Sequence, residues 1–187
     1  MNKLIYLVGM YLSCFGMLKA TQTDSIPIKH HVIGISGSSI TGFGVMYRYT
    51  FDNQFYMKAI ASGYYTENNH KSSTLISFLG LETQLNFVQA QDVRFYGFLG
   101  TSYWYDKSGY EDQENGIITY HTRIYETSNY GGGFGIEAIV WEFLAVNVDF
   151  GFQYSGVTYT SSFINDSGYK NSSRTGMGGG IGFGYQF

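Results

Sequence analysis

Residues 146–154 decide the fold, and they read Val146-Asn147-Val148-Asp149-Phe150-Gly151-Phe152-Gln153-Tyr154. The even-numbered side chains of this stretch are apolar, and the odd-numbered ones are polar or glycine. Successive side chains of a β-strand point to opposite faces. The alternation therefore predicts a strand with one apolar face and one polar face.

The same alternation recurs along the chain, for example at 43–51, 79–87 and 177–187. Eight strands are predicted, with these bounds: 29–37, 40–51, 54–66, 73–87, 92–106, 126–141, 143–160 and 174–187. Short turns alternate with longer connections, apart from a short first connection near 38–39. This pattern is typical of an outer-membrane barrel. The sequence therefore predicts an all-β fold, an eight-stranded antiparallel up-and-down transmembrane β-barrel.

Composition supports this prediction. The 187 residues suit one domain, and only 13% are charged, against about 25% in soluble domains. The 25 glycines argue against a helical bundle. A net charge of -3 argues against nucleic acid as a partner. A soluble β-sandwich or lipocalin-like barrel would also alternate, but its polar face would carry more Lys and Glu. Aromatic residues cluster at both ends of the predicted strands, as in the belts of membrane proteins.

The N-terminus has the features of a secretory signal peptide. Lys3 precedes an apolar stretch over 4–18, and cleavage is simplest after Ala20. We therefore expect a signal peptide at 1–20, a barrel domain at 21–187, and the outer membrane of a Gram-negative-type bacterium as the location. An anchor helix is less favoured because the apolar stretch is short. A lipoprotein signal ending at Cys14 stays an alternative.

The polar faces carry six ionisable residues, one on each strand from the second to the seventh: Arg48, Lys58, Glu82, Arg94, Glu137 and Asp149. Three are cations and three are anions, so we expect them to pair inside the barrel and to act structurally. Arg94 is the uncertain member, because residues 93–99 are apolar on both faces. Inward glycines of the sixth and eighth strands would make room for Arg, Lys and Tyr. Since eight strands enclose just enough space for side chains, we expect no open pore.

Several stretches resemble the small outer-membrane family of OmpX and Ail: Thr41–Tyr49, Tyr64–Glu67, Asp92–Gly97, Ser128–Gly135 and Gly182–Phe187. The resemblance covers most of residues 30–187. It implies an integral outer-membrane protein whose outward loops serve adhesion, host-cell entry or complement resistance. We expect a monomer surrounded by membrane lipid and lipopolysaccharide. The ending with Phe183, Tyr185 and Phe187 resembles the signal read by the barrel-assembly machinery.

The connection at 107–125 is the most informative loop. Between Asp106 and Glu126 it holds five acidic and two basic residues, both ends included. It also contains strand-prone residues, which would either extend the sheet and offer an edge to a partner chain or lie in a mobile loop. Six residues form the candidate interaction surface: Tyr110, Ile117, Ile118, Tyr120, Ile124 and Tyr125.

Signals for catalysis and metal binding are weak, and we expect no enzyme, no cofactor and no metal. A lipid A deacylase of this fold would place His two residues before a serine, whereas Thr127 and Glu126 precede Ser128. The adjacent His30 and His31 would point to opposite faces of a strand. Three classes stay open: an adhesin-type binder, a small-solute pore and a lipid-modifying enzyme.

Overall fold

The structure is a computed structural model, and it describes residues 29–52, 54–68, 72–90, 92–114, 117–162 and 168–187. The signal peptide predicted at 1–20 lies outside these ranges. Eight strands follow one another along the chain: β1 (His31–Ser38), β2 (Gly42–Thr50), β3 (Phe55–Asn68), β4 (Ser72–Gln89), β5 (Val93–Glu114), β6 (Ile117–Val140), β7 (Leu144–Ser161) and β8 (Gly168–Gln186).

The strands form a closed barrel in which each strand pairs with its neighbours in the chain, and β1 pairs with β8. All pairs are antiparallel, and the closing pair aligns Ile35 with Phe183. The predicted fold class is confirmed. Within the described ranges, no helix is long and apolar enough to cross a membrane.

The barrel is apolar outside and polar inside. On β7 the side chains of Phe150 and Phe152 are 54% and 70% exposed, whereas Asn147 and Asp149 are each 3% exposed. A soluble barrel would show the opposite arrangement. Hydrocarbon accepts apolar side chains and excludes unpaired backbone groups, so a closed sheet with this polarity spans a membrane as outer-membrane barrels do.

The end of the barrel that carries Phe187 has tight turns. Between β6 and β7, Trp141 and Glu142 adopt positive φ angles of 55° and 63°. Two successive residues in the left-handed region are typical of tight hairpin turns, because their twist matches that of the strands. The Lys29 ammonium donates a hydrogen bond to the carbonyl oxygen of Glu142 at 2.5 Å. The chain entering β1 is thus tied to this turn.

Of the two interpretations left open for residues 107–125, the structure supports an extension of the sheet and not a mobile loop. β5 continues to Glu114 and β6 begins at Ile117, with Ser108 opposite Arg123 in a continuous ladder. β8 likewise begins at Gly168 and not near residue 174. Mutual pairing in long hairpins satisfies the backbone of these polar segments, which the alternation of apolar residues did not reveal. Six strands, β3 to β8, therefore rise beyond the β1–β2 turn, and we call this part the extension.

Candidate functional site: the barrel interior and the extension

The six ionisable residues singled out in the sequence all lie inside the barrel, each at most 4% exposed: Arg48, Lys58, Glu82, Arg94, Glu137 and Asp149. Strand pairing places several of them in one layer. Arg48 lies opposite Lys58, and Lys58 lies opposite Glu82. Arg94, whose facing the sequence left open, lies opposite Glu137 and points inward.

Glu137 bridges two guanidinium groups. Arg94 Nε donates to one carboxylate oxygen at 2.8 Å, and Arg48 Nη1 contacts the other oxygen. Arg94 also donates to Asn86 at 2.8 Å and to Gln84 at 2.7 Å. Its guanidinium is therefore held by three acceptors in a place that water does not reach, which is the condition under which a buried charge is tolerated.

Two aromatic rings lie close to this guanidinium. The Arg94 Cζ atom lies 4.1 Å from the ring centre of Tyr56 and 4.5 Å from that of Tyr96. Both distances are within the range of cation–π attraction. Tyr56 and Tyr96 are themselves buried, and the sequence analysis did not select them. Their inward position follows from strand parity, since both are an even number of residues from an inward charge on the same strand.

Lys58 joins the two remaining carboxylates. Its Nζ atom lies 2.8 Å from Glu82 and 3.7 Å from Asp149. Asn147 donates to Asp149 at 3.1 Å, and the Tyr96 hydroxyl also donates to it. Three cations and three anions thus form one neutral layer that reaches across the barrel.

Next to the charged layer, the turn between β1 and β2 folds into the barrel. Ile40 and Thr41 are 0% exposed, although this turn joins two strands at the end of the barrel from which the extension rises. Ile40 packs in a cluster with Tyr96 and Phe98. The Ser102 hydroxyl donates to the carbonyl oxygen of Ile40 at 2.8 Å. We call residues 39–41 the stopper.

Glycines on four strands make room for the stopper: Gly80, Gly100, Gly131 and Gly178. A Cβ atom at Gly131 or Gly178 would lie 2.9 Å from a side-chain carbon of Ile40. At Gly80 and Gly100 a Cβ would collide with Thr41. The sequence analysis expected inward glycines to make room for Arg, Lys and Tyr. Of these inward glycines on β6 and β8, Gly135 does so, because its Cβ would meet the Tyr96 ring.

The turn itself also depends on a glycine. Gly42 follows the stopper with a φ of 93°, in the left-handed region that favours glycine. A Cβ there would collide with the ring of Phe78 on β4. The backbone amides of Ile40 and Thr41 donate to the Ser38 hydroxyl at 3.1 and 3.3 Å. The hydrogen bonds to Ser38 therefore hold the turn, and the Phe78 ring leaves no room for a side chain at residue 42.

The candidate interaction surface falls on strands and not on a loop. Tyr110 lies on β5, and Tyr120, Ile124 and Tyr125 lie on β6; the side chains of Ile117 and Ile118 lie outside the described part. By strand parity Tyr110 and Tyr125 share the inner face of the extension, whereas Tyr120 and Ile124 share its outer face. The six residues therefore do not form one surface.

The inner face of the extension carries aromatic rings and the ammonium group of Lys170. The rings of Phe78 and Trp104 lie 5.4 Å apart, and those of Tyr125 and Tyr159 lie 4.7 Å apart. The Lys170 ammonium lies 5.9 Å from the Tyr159 ring centre. At the rim, the Tyr65 hydroxyl donates to Glu67 at 2.9 Å, and this bond raises the pKa of Tyr65.

The three C-terminal aromatic residues named in the sequence lie on the outer face, beside the seam between β1 and β8. Phe183, Tyr185 and Phe187 are 42%, 53% and 55% exposed. The Phe187 ring stacks on His31 with centres 5.5 Å apart. These rings are accessible from the lipid side.

Nothing in the described ranges assembles a catalytic or metal site from the residues considered in the sequence. Ser128 and His121 lie seven positions apart on β6, hence on opposite faces and about 23 Å apart along the strand. His30 Nδ1 lies 2.8 Å from the carbonyl oxygen of Thr50, and His31 Nδ1 lies 2.7 Å from the Tyr47 hydroxyl. No group of three His, Cys, Asp or Glu side chains in this part could hold a metal ion.

Comparisons with known proteins give structural likeness only. No protein-family model matches the chain, and no curated protein matches it. Among solved structures it is similar to Ail, the attachment invasion locus protein of Yersinia pestis, with 16% identity over 84% of this chain and 97% of that one, and a TM-score of 0.38. It is also similar to Acinetobacter baumannii CarO, with 10% identity over 88% of this chain and 100% of that one, and a TM-score of 0.41. It is similar as well to a major outer membrane protein from Thermus thermophilus, with 13% identity over 84% of this chain and 98% of that one, and a TM-score of 0.41.

Proposed function

We propose that this chain is a sealed outer-membrane barrel whose extension binds partners at the cell surface. The observation that carries the proposal is the filled interior. The neutral layer around Lys58 and Glu137 crosses the barrel, and the stopper lies against it. With the interior occupied by side chains, the extension is the part of the molecule that is built beyond what spanning a membrane requires.

Conductance of the folded protein in planar bilayers tests the sealed interior. We expect no large, stable current, because ion pairs and the buried Ile40 side chain fill the barrel. A small-solute pore is the competing function. A persistent open-channel current from the unmodified protein would establish the pore and reject the seal.

Adhesion of expressing bacteria to cultured epithelial cells tests the surface role. The matched variant replaces residues 108–123 by a short turn, which shortens the β5–β6 hairpin and leaves the barrel residues intact. We expect adhesion to fall while the amount of folded protein in the outer membrane stays the same. Equal adhesion with and without the protein would reject the surface role.

The proposal includes a route to the membrane. In this proposal the N-terminal signal directs export, and the barrel-assembly machinery inserts the chain after recognising the ending at Phe187. The folded protein is then a monomer among lipid and lipopolysaccharide. The outward position of Phe183, Tyr185 and Phe187 supports this route, because a recognition signal must be accessible. It acts as no enzyme in this proposal, and lipid A mass spectrometry with the pure protein tests that statement.

A further inference from the structure

Two backbone edges border a gap in the extension. The last pair of β1 with β8 joins Ser38 and Gly180, and the last pair of β2 with β3 joins Val45 and Ala61. Beyond these pairs, the Ser62 hydroxyl still donates to the carbonyl oxygen of Phe43 on β2 at 2.8 Å. Farther along, residues 171–177 of β8 pair with β7, and residues 63–66 of β3 pair with β4. No described strand pairs with their other sides. We call the gap between these two edges the notch.

The direction of the backbone groups can be read from neighbouring hydrogen bonds. The Ser39 amide donates to the carbonyl oxygen of Gly179 at 3.1 Å. The backbone N–H and C=O groups of the odd-numbered β8 residues therefore point away from β7. The Phe51 amide donates to the carbonyl oxygen of Phe55 at 3.0 Å. The backbone N–H and C=O groups of the odd-numbered β3 residues therefore point away from β4. The residues that direct N–H and C=O groups into the notch therefore include Gly63, Tyr65, Ser173, Thr175 and Met177.

Two strands fit the notch in width where it begins and in the direction in which they would run. The barrel has eight strands and the extension has six, and the missing pair stands where β1 and β2 would continue. Where the notch begins, β1 and β2 lie between β8 and β3, so three strand spacings of about 4.8 Å, or about 14 Å, separate the two edges at that level and two strands fit between them. Because β3 and β8 run in opposite directions, two strands that are antiparallel to these edges are also antiparallel to each other. A β-hairpin meets this requirement.

The β8 edge lacks the usual protection against strand addition. Exposed edges are commonly guarded by proline, by bulges or by charged side chains. Residues 171–177 contain no proline, and their outward side chains are Asn171, Ser173, Thr175 and Met177. The one charge in this segment, Arg174, has the parity of the inner face. An approaching strand therefore meets small or flexible side chains on the outer face.

We propose that the notch binds a β-hairpin of a partner protein, which adds one strand to β8 and one to β3 and completes eight strands in the extension. The inference rests on the proposed surface function and names the kind of partner. Main-chain hydrogen bonds would supply much of the affinity, and alternate side chains of the hairpin would supply selectivity.

A library of disulfide-closed hairpin peptides, displayed on yeast, tests the proposal with the full protein in lipid nanodiscs. The decisive variant combines Ser173→Pro with Thr175→Pro, because proline removes the two N–H donors that face the notch and keeps the β7 ladder. The matched control combines Ser173→Ala with Thr175→Ala. Selected peptides should bind the proline variant about 30-fold more weakly, the equivalent of two hydrogen bonds, and should bind the alanine variant nearly as well as the unmodified protein.

Amide exchange gives a second measurement that needs no substitution. In the unmodified protein, a bound peptide should slow exchange at Ser173, Thr175 and Tyr65 and leave the amides that already bond to β7 unchanged. If no hairpin is enriched, or if enriched hairpins bind both variants equally without protecting these amides, the proposal is wrong. Self-association that the proline pair abolishes would make the occupant a second copy of this chain, which also overturns the proposal.

Failure here can be separated from failure of the surface function. If shortening the β5–β6 hairpin abolishes adhesion but the proline pair leaves adhesion unchanged, the proposal of hairpin binding in the notch is rejected and the surface role is retained. Adhesion that never depended on the protein would reject the surface role itself.

Discussion

The Glu137 carboxylate is the junction of the charged layer, because Arg48 and Arg94 each contact a different oxygen of it. Glu137→Gln keeps the shape of the side chain and removes its charge. The buried layer would then hold three cations against two anions. Removing one partner of a buried ion pair costs about 3–5 kcal/mol. Since the amide oxygen still accepts one hydrogen bond, we expect the lower end, about 3 kcal/mol of unfolding free energy.

Denaturant unfolding in detergent micelles measures this loss, followed by fluorescence of the two tryptophans and by heat-modifiable mobility on a denaturing gel. Glu142→Gln is the matched control, because that side chain is exposed at the β6–β7 turn and should change stability by less than about 0.5 kcal/mol. Adding Arg48→Met to Glu137→Gln restores equal numbers of cations and anions and should recover part of the loss. A Glu137→Gln protein as stable as its control would refute the role assigned to the charged layer.

Three further substitutions, the first with a control substitution, test other parts of the structure. Gly100→Val should displace Thr41 and destabilise the barrel by about 1–3 kcal/mol in denaturant unfolding, whereas Gly176→Val, with nothing within 4 Å of its Cβ, should not. Glu142→Gly should raise stability by about 0.5–1 kcal/mol in the same assay, because glycine tolerates a φ of 63°; no gain would contradict the strained turn. Phe187→Ser should lower the amount in outer-membrane fractions but not refolding in detergent, and equal amounts in cells would exclude Phe187 from the assembly signal.

The strands that span the membrane could be predicted because lipid and the barrel interior impose opposite polarity on alternate residues. The stretch from Val146 to Tyr154 obeys that constraint at each position. This constraint did not determine which face carries Arg94, because Tyr96 and Phe98, which share its face, are as apolar as the residues on the lipid face. Its position is explained by Glu137, directly opposite on β6, and this pairing depends on a register that periodicity does not contain.

The sequence could not predict the stopper, and it left the extension at 107–125 as one of two interpretations, for two different reasons. Ile40 and Thr41 are held by Gly80, Gly100 and Gly131, which are far away in the chain, so no local pattern indicates an inward turn. The extension is polar on much of both faces, because water surrounds it. Its strands are held by pairing within long hairpins, and a polar stretch such as 107–125 has the composition of a loop whether or not it pairs.

The two free edges locate the barrel in the membrane. An unpaired N–H or C=O group costs several kcal/mol in hydrocarbon, so the lipid must end where β1 and β2 end. Below that level each described strand has two neighbours, and at that level the stopper turns inward. β1 has 8 residues, close to the roughly 9–11 that a tilted strand needs, which leaves no excess length below the turn. The notch must therefore begin at the headgroup level and open into water, where a partner strand can reach it.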